Sequence, residues 1–448
     1  MKRLVIVGGG IAGLSAAWTV SRSASRDVEV TLVEREERLG GKIRTDTHQG
    51  YVLEHGPDSF LTTRREALDL CEELGIDGQL QPRLPRPVPS YIAHRHVLSP
   101  LPDGFSVALP LDTAALAMSP LLSEDGRRRA VKEPAMPTWS GSGDESVASF
   151  MVRKVGEEAF DLLVEPMVGG IHAGDASQLS AQATLPRRPS GKANGRGARP
   201  QFLTLPGGMT DLIRSLEERL GGVRILRGVG VEAARRHRRG YTVELSDGAR
   251  LEADALLLAV PAHEAARIGE PLDSLLPDLI RLIPFASTVV IHLAWARSQV
   301  PHELDGYGYL IPSVERSDLV ACTWTSQKFE RRAPNGMVLM RFFAGRFGRR
   351  DLLGTPDEDL FALARTDAEA TLGIRAEPAF QRLHRWDKGM PQYTVGHLAR
   401  VDEIRTRAAL LPGLFLAGAA YDGVGVPQCV ASGASAAQSA LELLEDGK

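Results

Sequence analysis

The sequence predicts an α/β fold in which a doubly wound parallel sheet is assembled from both ends of the chain and its middle. Three observations predict it. Strand-like and helix-like periods alternate over the first 33 residues, the same alternation returns after residue 410, and a glycine-rich turn joins strand to helix at both ends. Leu4–Val7 is an apolar run short enough for a buried strand, and Ile11–Arg22 carries the helix that follows. Val28–Val33 is β-branched and forms the next strand, with Arg26-Asp27 in the turn before it. Thr63-x-x-Glu66 has capping-box spacing and opens a helix that ends near Gly75.

From Gln81 to Pro110 the composition shifts to proline-rich, with short β-like pieces between. Helical patterns return over Glu145–Val155 and Glu157–Met167, and Arg187–Pro200 reads as a Gly/Arg/Pro loop. Thr210–Leu220 is an amphipathic helix. Strands follow at Val223–Leu226, Tyr241–Leu245, Arg250–Glu252 and Ala255–Val260. A strand at Leu414–Ala417, a glycine-rich turn and a helix over Ser432–Leu444 close the chain.

Composition narrows the function classes. The 448 residues are 43% hydrophobic and 24% charged with a net charge of −3, so no overall field favours nucleic acid. Cys71, Cys322 and Cys429 form no CxxC pair, which argues against a zinc site or disulfide framework and fits a reducing, cytoplasmic setting. No secretory signal is visible, and no apolar stretch is long enough for a spanning helix. No metal site is expected.

Gly8-x-Gly10-x-x-Gly13 sits between the first strand and helix. The first glycine permits the tight turn, the second lets backbone approach a pyrophosphate, and the third lets helix pack on strand. The turn and first helical turn, Gly8, Gly9, Gly10, Ile11, Ala12 and Gly13, are the expected pyrophosphate cradle, where free N–H groups and the helix dipole favour an anion. Glu34 ends the second strand 21 residues after Gly13, placed for a carboxylate to accept both hydroxyls of an adenosine ribose. This is a Rossmann-type dinucleotide site.

The chain continues Arg35-Glu36-Glu37-Arg38-Leu39-Gly40-Gly41-Lys42-Ile43-Arg44, which resembles the second fingerprint of the flavin amine-oxidase superfamily. Further segments resemble its porphyrinogen oxidases: Gly56-Pro57-Asp58-Ser59-Phe60, Pro166–Asp175 with Leu179-Ser180, Leu205–Met209, Trp386–His397 and Gly418–Gly433. The resemblance weakens in the proline-rich stretch, the Arg187–Pro200 loop and the middle of the C-terminal half. It implies non-covalent FAD, since Cys429 is not placed like an anchoring cysteine. It adds to the FAD contacts Arg35, Gly41, Lys42, the loop Gly56, Pro57, Asp58 and Ser59, the backbone of Val231, and Trp386 packed on the flavin. Val424, Gly425 and Val426 are expected at the flavin pyrimidine edge, with glycines 423 and 425 admitting a flat ring and the final helix's dipole nearby. Ala419 departs from the acidic residue of many relatives, which puts a ribitol contact there in doubt.

The domains expected from this resemblance are a discontinuous FAD-binding domain over 1–80, 201–265 and 400–448, a helical, membrane-type subdomain over 81–200, and a mixed α+β substrate-binding domain over 266–399. The implied activity is six-electron oxidation of a porphyrinogen in haem biosynthesis, coproporphyrinogen III before protoporphyrinogen IX, with oxygen as acceptor and hydrogen peroxide as product. Ser90-Tyr91 stands where the membrane-bound protoporphyrinogen enzymes carry an arginine before an aromatic residue. No dedicated catalytic base is expected, because the cofactor carries the chemistry. The substrate's propionates call for cations. Arg64 is a candidate, and a solvated residue in a helix's first turn is the alternative; Arg187, Arg188, Lys192, Arg196 and Arg199 are further candidates, with a solvated loop the favoured reading. Peripheral membrane contact and handover to a ferrochelatase fit the implied pathway, though no motif encodes either. The alternatives are a flavin amine oxidase, with Tyr421 and Trp386 imitating an aromatic cage, a carotenoid desaturase, and a non-catalytic binding protein like the Rab GDP-dissociation inhibitors.

Overall fold

A computed structural model describes residues 1–23, 27–88, 90–102, 105–106, 109–110, 113–132, 143–185 and 202–446. Arg26 and the basic residues Arg187, Arg188, Lys192, Arg196 and Arg199 lie outside the described residues.

Five strands form the parallel sheet, in the spatial order Arg224–Leu226, Val28–Val33, Lys2–Val7, Ala255–Leu258 and Leu414–Leu416. Successive side chains of a strand point to opposite faces, so these apolar runs feed two cores. Leu4, Ile6, Leu32 and Leu257 pack under the helices Ile11–Ser21, Glu66–Glu73, Thr210–Arg219 and Val426–Asp446. Val5, Val7, Leu256 and Leu258 pack against the antiparallel strands Val231–His237, Gly240–Leu245 and Arg250–Ala253 and the helices of 262–281 and 397–409.

Two helix starts differ from expectation. The final helix begins at Val426, six residues before the expected Ser432. Pro427 suits a helix's first turn, and Gly433 lies inside the helix. A Cβ on Gly433 would drive into the backbone of Ala12, so this glycine lets the last helix lie against the first. The Thr63/Glu66 capping box is absent: the helix starts at Glu66 with Arg65 as N-cap and no side-chain cap bond, so Glu66 stands one residue in and not three.

A second sheet has seven strands, in the order Phe380–Pro391, Phe285–Ala296, Met337–Ala344, Leu319–Thr323, Gly308–Leu310, Tyr91–His94 and Val97–Pro100. Tyr91–His94 pairs with Gly308–Leu310, so this part of the expected 81–200 subdomain extends the sheet of the 266–399 region. Backbone pairing across distant segments has no local sequence signal. One face packs Ile291, Leu293 and Trp295 against the helix Asp357–Leu372. On the other, Ala294, Leu339 and Phe380 meet Tyr51 and Leu53 of the hairpin Thr45–His48/Tyr51–Glu54. The segments Val147–Val155 and Glu157–His172 are helical, with a π-turn at Phe160–Val164. Buried Glu165, salt-bridged to Arg346, ties them to the sheet. No described helix is long and apolar enough to cross a membrane.

Candidate active site

Two glycine turns lie back to back at the end of the parallel sheet. Gly8 has φ +106°, a left-handed value that favours glycine, and its N–H donates to Val33 O at 2.8 Å. A Cβ on Gly13 would collide with the Gly8 carbonyl, so the helix can start this close to the turn only with glycine there. Gly10 is the N-cap without a side-chain cap, which leaves the first-turn N–H groups of Ile11, Ala12 and Gly13 for a ligand. The second turn docks through Gly40 N–H to Gly9 O at 2.8 Å, and Gly41, at φ +56°, would bring a Cβ to 3.1 Å from Gly10 Cα. The two loops therefore present bare backbone to one another.

Arg38 braces the second turn, donating to the carbonyls of Leu39 at 3.3 Å, Gly41 at 2.5 Å and Ile43 at 3.3 Å. Sequence reasoning missed it, because in the run Arg35-Glu36-Glu37-Arg38 it reads as a solvated charge. Glu34 accepts the N–H of Gly9 at 2.6 Å and of Glu36 at 2.8 Å, which fixes its carboxylate beside the first turn. Arg35 is exposed and approaches Glu264 at 3.7 Å. Lys42 lies 5.8 Å over the Phe285 ring, and burial pulls its amine down to about 8.

The loop Glu54–Phe60 crosses from this cradle to the second sheet. A Cβ on Gly56 would drive into Lys42 O, so the two segments touch backbone to backbone. Arg341 donates to the carbonyls of Glu54 and Gly56, each at 3.0 Å, and Trp386 Nε1 donates to that of His55 at 2.7 Å. Asp58 accepts from Lys328 Nζ at 2.8 Å to both oxygens, from Arg341 at 2.8 Å and from Ser59 Oγ at 2.7 Å. Those two cations hold the buried carboxyl well below its usual range. Among the expected cofactor contacts, then, the Asp58 and Ser59 side chains clamp the loop, and the Trp386 indole N–H props it while its ring meets His384 edge-on at 4.4 Å. Arg341 had one readable signal: it is the lone charge in the apolar strand Met337–Ala344, and such a charge needs partners. Its cross-strand neighbour His292 is fully buried, and burial holds its pKa well below normal, so it is neutral.

At the C-terminal end, Ser432 Oγ accepts from Gly418 N at 2.9 Å and donates to Asp422 at 2.7 Å. Gly423 has φ +126°, and the room beside it is taken by Gln428, 2.6 Å from a Cβ placed there. Gln428 also crowds a Cβ placed on Gly425. Val424 and Gly425 are half-buried and Val426 is buried at the helix start. Cys429 Sγ donates to Gly423 O at 3.7 Å. Val231 begins an antiparallel strand and its carbonyl accepts from Arg267 at 2.8 Å. Arg64 is exposed and its guanidinium lies 3.3 Å from Glu66. Pro57 follows Gly56 on the clamped loop.

An uncapped helix start, two turns without side chains between them and a carboxylate ending the second strand fit the pyrophosphate and adenosine of FAD. Comparison with known proteins agrees. The family model described as flavin containing amine oxidoreductase matches residues 11–441. The coproporphyrinogen III oxidase of Bacillus subtilis (strain 168) is 33% identical over 99% of this chain and 98% of its own. That of Propionibacterium freudenreichii is 32% identical over 98% of this chain and 90% of its own. A crystal structure from Exiguobacterium sp. 255-15, described as that of a protoporphyrinogen oxidase, superposes with a TM-score of 0.86 at 32% identity, covering 99% of each chain. The chain therefore belongs to the flavin-containing amine oxidoreductase family, among the porphyrinogen oxidases, and its cofactor is FAD.

Proposed function

We propose that this protein oxidises coproporphyrinogen III to coproporphyrin III in haem biosynthesis, with molecular oxygen as terminal acceptor and hydrogen peroxide as product. The observation that carries this reading is the likeness over nearly the whole length to coproporphyrinogen III oxidases. Protoporphyrinogen IX is the second reading, favoured by the description of the Exiguobacterium structure. A cytoplasmic location suits three free, buried cysteines.

FAD, when bound, supplies the two-electron acceptor. The chain's part is to hold and orient. Gly10, Ile11, Ala12 and Gly13 offer N–H groups to the pyrophosphate, Gly8 and Gly9, whose own N–H groups are held by Val33 O and Glu34, shape the bare turn beside it, and Gly41 and Lys42 close the same slot. Glu34 takes the ribose, with Arg35 at its rim and Val231 backbone near the adenine. Gly56, Pro57, Asp58, Ser59 and Trp386 form the clamped wall beside the flavin, and Val424, Gly425 and Val426 its far edge. Each porphyrinogen round removes a hydride from a bridging carbon and a proton from a pyrrole nitrogen. Three rounds make the six-electron change, and no side chain is assigned as a dedicated base.

Anaerobic stopped-flow absorbance at the flavin band tests the reading, with coproporphyrinogen III, protoporphyrinogen IX and spermine mixed separately. Fastest bleaching by coproporphyrinogen III, with porphyrin fluorescence after oxygen is admitted, is the expected result. Bleaching by spermine alone moves the assignment to the amine oxidases.

A further inference from the structure

Beside the clamped loop the charges do not balance. Asp58 is surrounded by Lys328 and Arg341, both bonded to it, and its field reaches a third cation, Arg83. Arg83 directly follows the strand Gln81–Pro82, whose partner strand Phe202–Thr204 pairs on its other side with Phe60–Leu61 at the loop's end. Its guanidinium lies over two rings, 4.4 Å from the centroid of Phe202 and 4.4 Å from that of Tyr307. Tyr307 is itself fixed, donating from its hydroxyl to Leu84 O at 2.6 Å. Among the described residues no carboxylate or carbonyl accepts a hydrogen bond from Arg83. The chain leading into Phe202, residues 186–201, contains no Asp or Glu.

An arginine in this state is unusual. Burial lowers its pKa, and Asp58 and Tyr307 offset that only in part. Both rings lie within cation–π distance of the guanidinium, and that attraction stabilises it. Its N–H donors have no hydrogen-bond partner among the described residues, and they carry the fork geometry that matches a planar carboxylate. Lys328, 5.7 Å from the Phe202 ring, adds positive potential behind it.

We propose that Arg83, half-buried against Phe202 and Tyr307, binds one carboxylate of the substrate through its unpaired N–H donors. This rests on the porphyrinogen reading and deepens it: the ligand is a propionate of the tetrapyrrole, and Arg83 is a specificity-determining residue for acidic side chains. The more exposed Arg64, which has Glu66 as its partner, is the weaker candidate for that role.

The test uses the FAD-loaded protein and coproporphyrin III, with its tetramethyl ester as the uncharged control in the same detergent buffer. Binding is followed by porphyrin fluorescence at low and high salt. Arg83→Met keeps an apolar stem against the rings and removes the donors, and Arg83→Lys keeps the charge without the fork. Arg83→Met is expected to weaken binding of the tetra-acid about ten- to a hundredfold, the range of a charge-assisted hydrogen bond. Arg83→Lys falls between it and the parent. Ester binding stays equal in all three, and the salt dependence of acid binding shrinks in Arg83→Met. Flavin content and the unfolding midpoint identify any variant that has lost its fold, in which case Arg83→Lys alone decides by the ratio of acid to ester affinity. Equal acid affinity in the parent and a folded variant overturns the assignment of Arg83 while leaving the porphyrinogen reading in place. If the parent binds neither porphyrin and coproporphyrinogen III does not bleach its flavin, both fall.

Discussion

The two sheets solve recognition in different ways. At the end of the parallel sheet the site is made of backbone: glycines that exclude Cβ atoms, an uncapped helix and one carboxylate that accepts from Gly9. Beside the seven-stranded sheet it is made of charge, with buried Asp58 and Arg341 and the largely buried Lys328 drawn together across some 270 to 283 residues of sequence. Backbone recognition costs little to leave open to water, since its N–H groups stay hydrated until a ligand arrives. Buried charges must be paired within the protein, because an isolated one would not stay ionised there. The first kind of site is local in sequence and tolerant of its surroundings; the second stabilises the junction of the cofactor loop with the sheet only while every partner is present.

That difference can be broken most severely at Asp58. Asp58→Asn leaves Lys328 and Arg341 buried together without their anion, and loss of one member of a buried pair costs about 3–5 kcal/mol. Urea unfolding at pH 7 measures it; a loss below about 1 kcal/mol would mean that the clamp is not a buried network. The same contribution is present above the unfolded carboxyl's pKa and is lost as the solution is acidified below about 4, because Asp58 titrates lower in the folded protein.

On the backbone side the corresponding change is smaller and affects the ligand. Glu34→Gln keeps the shape and removes the charge, so FAD affinity is expected to fall about tenfold to a hundredfold. Fluorescence titration of the apoprotein checks it, and an unchanged affinity would remove Glu34 from the ribose site.

The buried histidines sharpen the contrast through pH. His397 is fully buried, its ring is stacked on Tyr393 at 3.9 Å, and burial pulls its pKa down to about 4. A lowered folded value stabilises the protein above the unfolded pKa of about 6.5, and that stability is lost as pH falls toward 4. His397→Phe, which cannot be protonated, should therefore gain about 1–2 kcal/mol relative to the parent between pH 7 and pH 5. Parallel denaturation curves at the two pH values decide, and an equal difference at both would show that His397 is not titrating in this way.

Arg64→Ala should change stability by less than about 0.5 kcal/mol, as its ion pair with Glu66 is exposed. A larger loss in thermal unfolding would reveal a contact beyond Glu66.

The cofactor half was the more legible. The glycines at 8, 10 and 13, Glu34 and the Gly40-Gly41 turn stand close together in sequence, and the structure brings them together as a cradle. Arg38 escaped notice because its role is to carbonyls folded back on it by the turn. Arg341, the lone charge of its strand, signals a need for partners, but nothing in its segment or that of Lys328 names Asp58 as the partner. The segment 426–431 misled in a local way, reading as part of the glycine-rich turn where the structure continues the helix through it.

The sequence by itself determined the parallel sheet's strands, the dinucleotide turn and the family, because each depends on spacing within some forty residues or on a resemblance spread along the chain. Only the tertiary structure decided that Trp386 props a carbonyl, that Asp58 clamps a loop, that Gln428 packs beside Gly423, and that Arg83 lies against two rings with no hydrogen-bonded carboxylate among the described residues. The physical reason is common to all four. A hydrogen bond or ion pair is defined by where two groups meet, and chain distance holds no information about that once the segments are separated by a sheet.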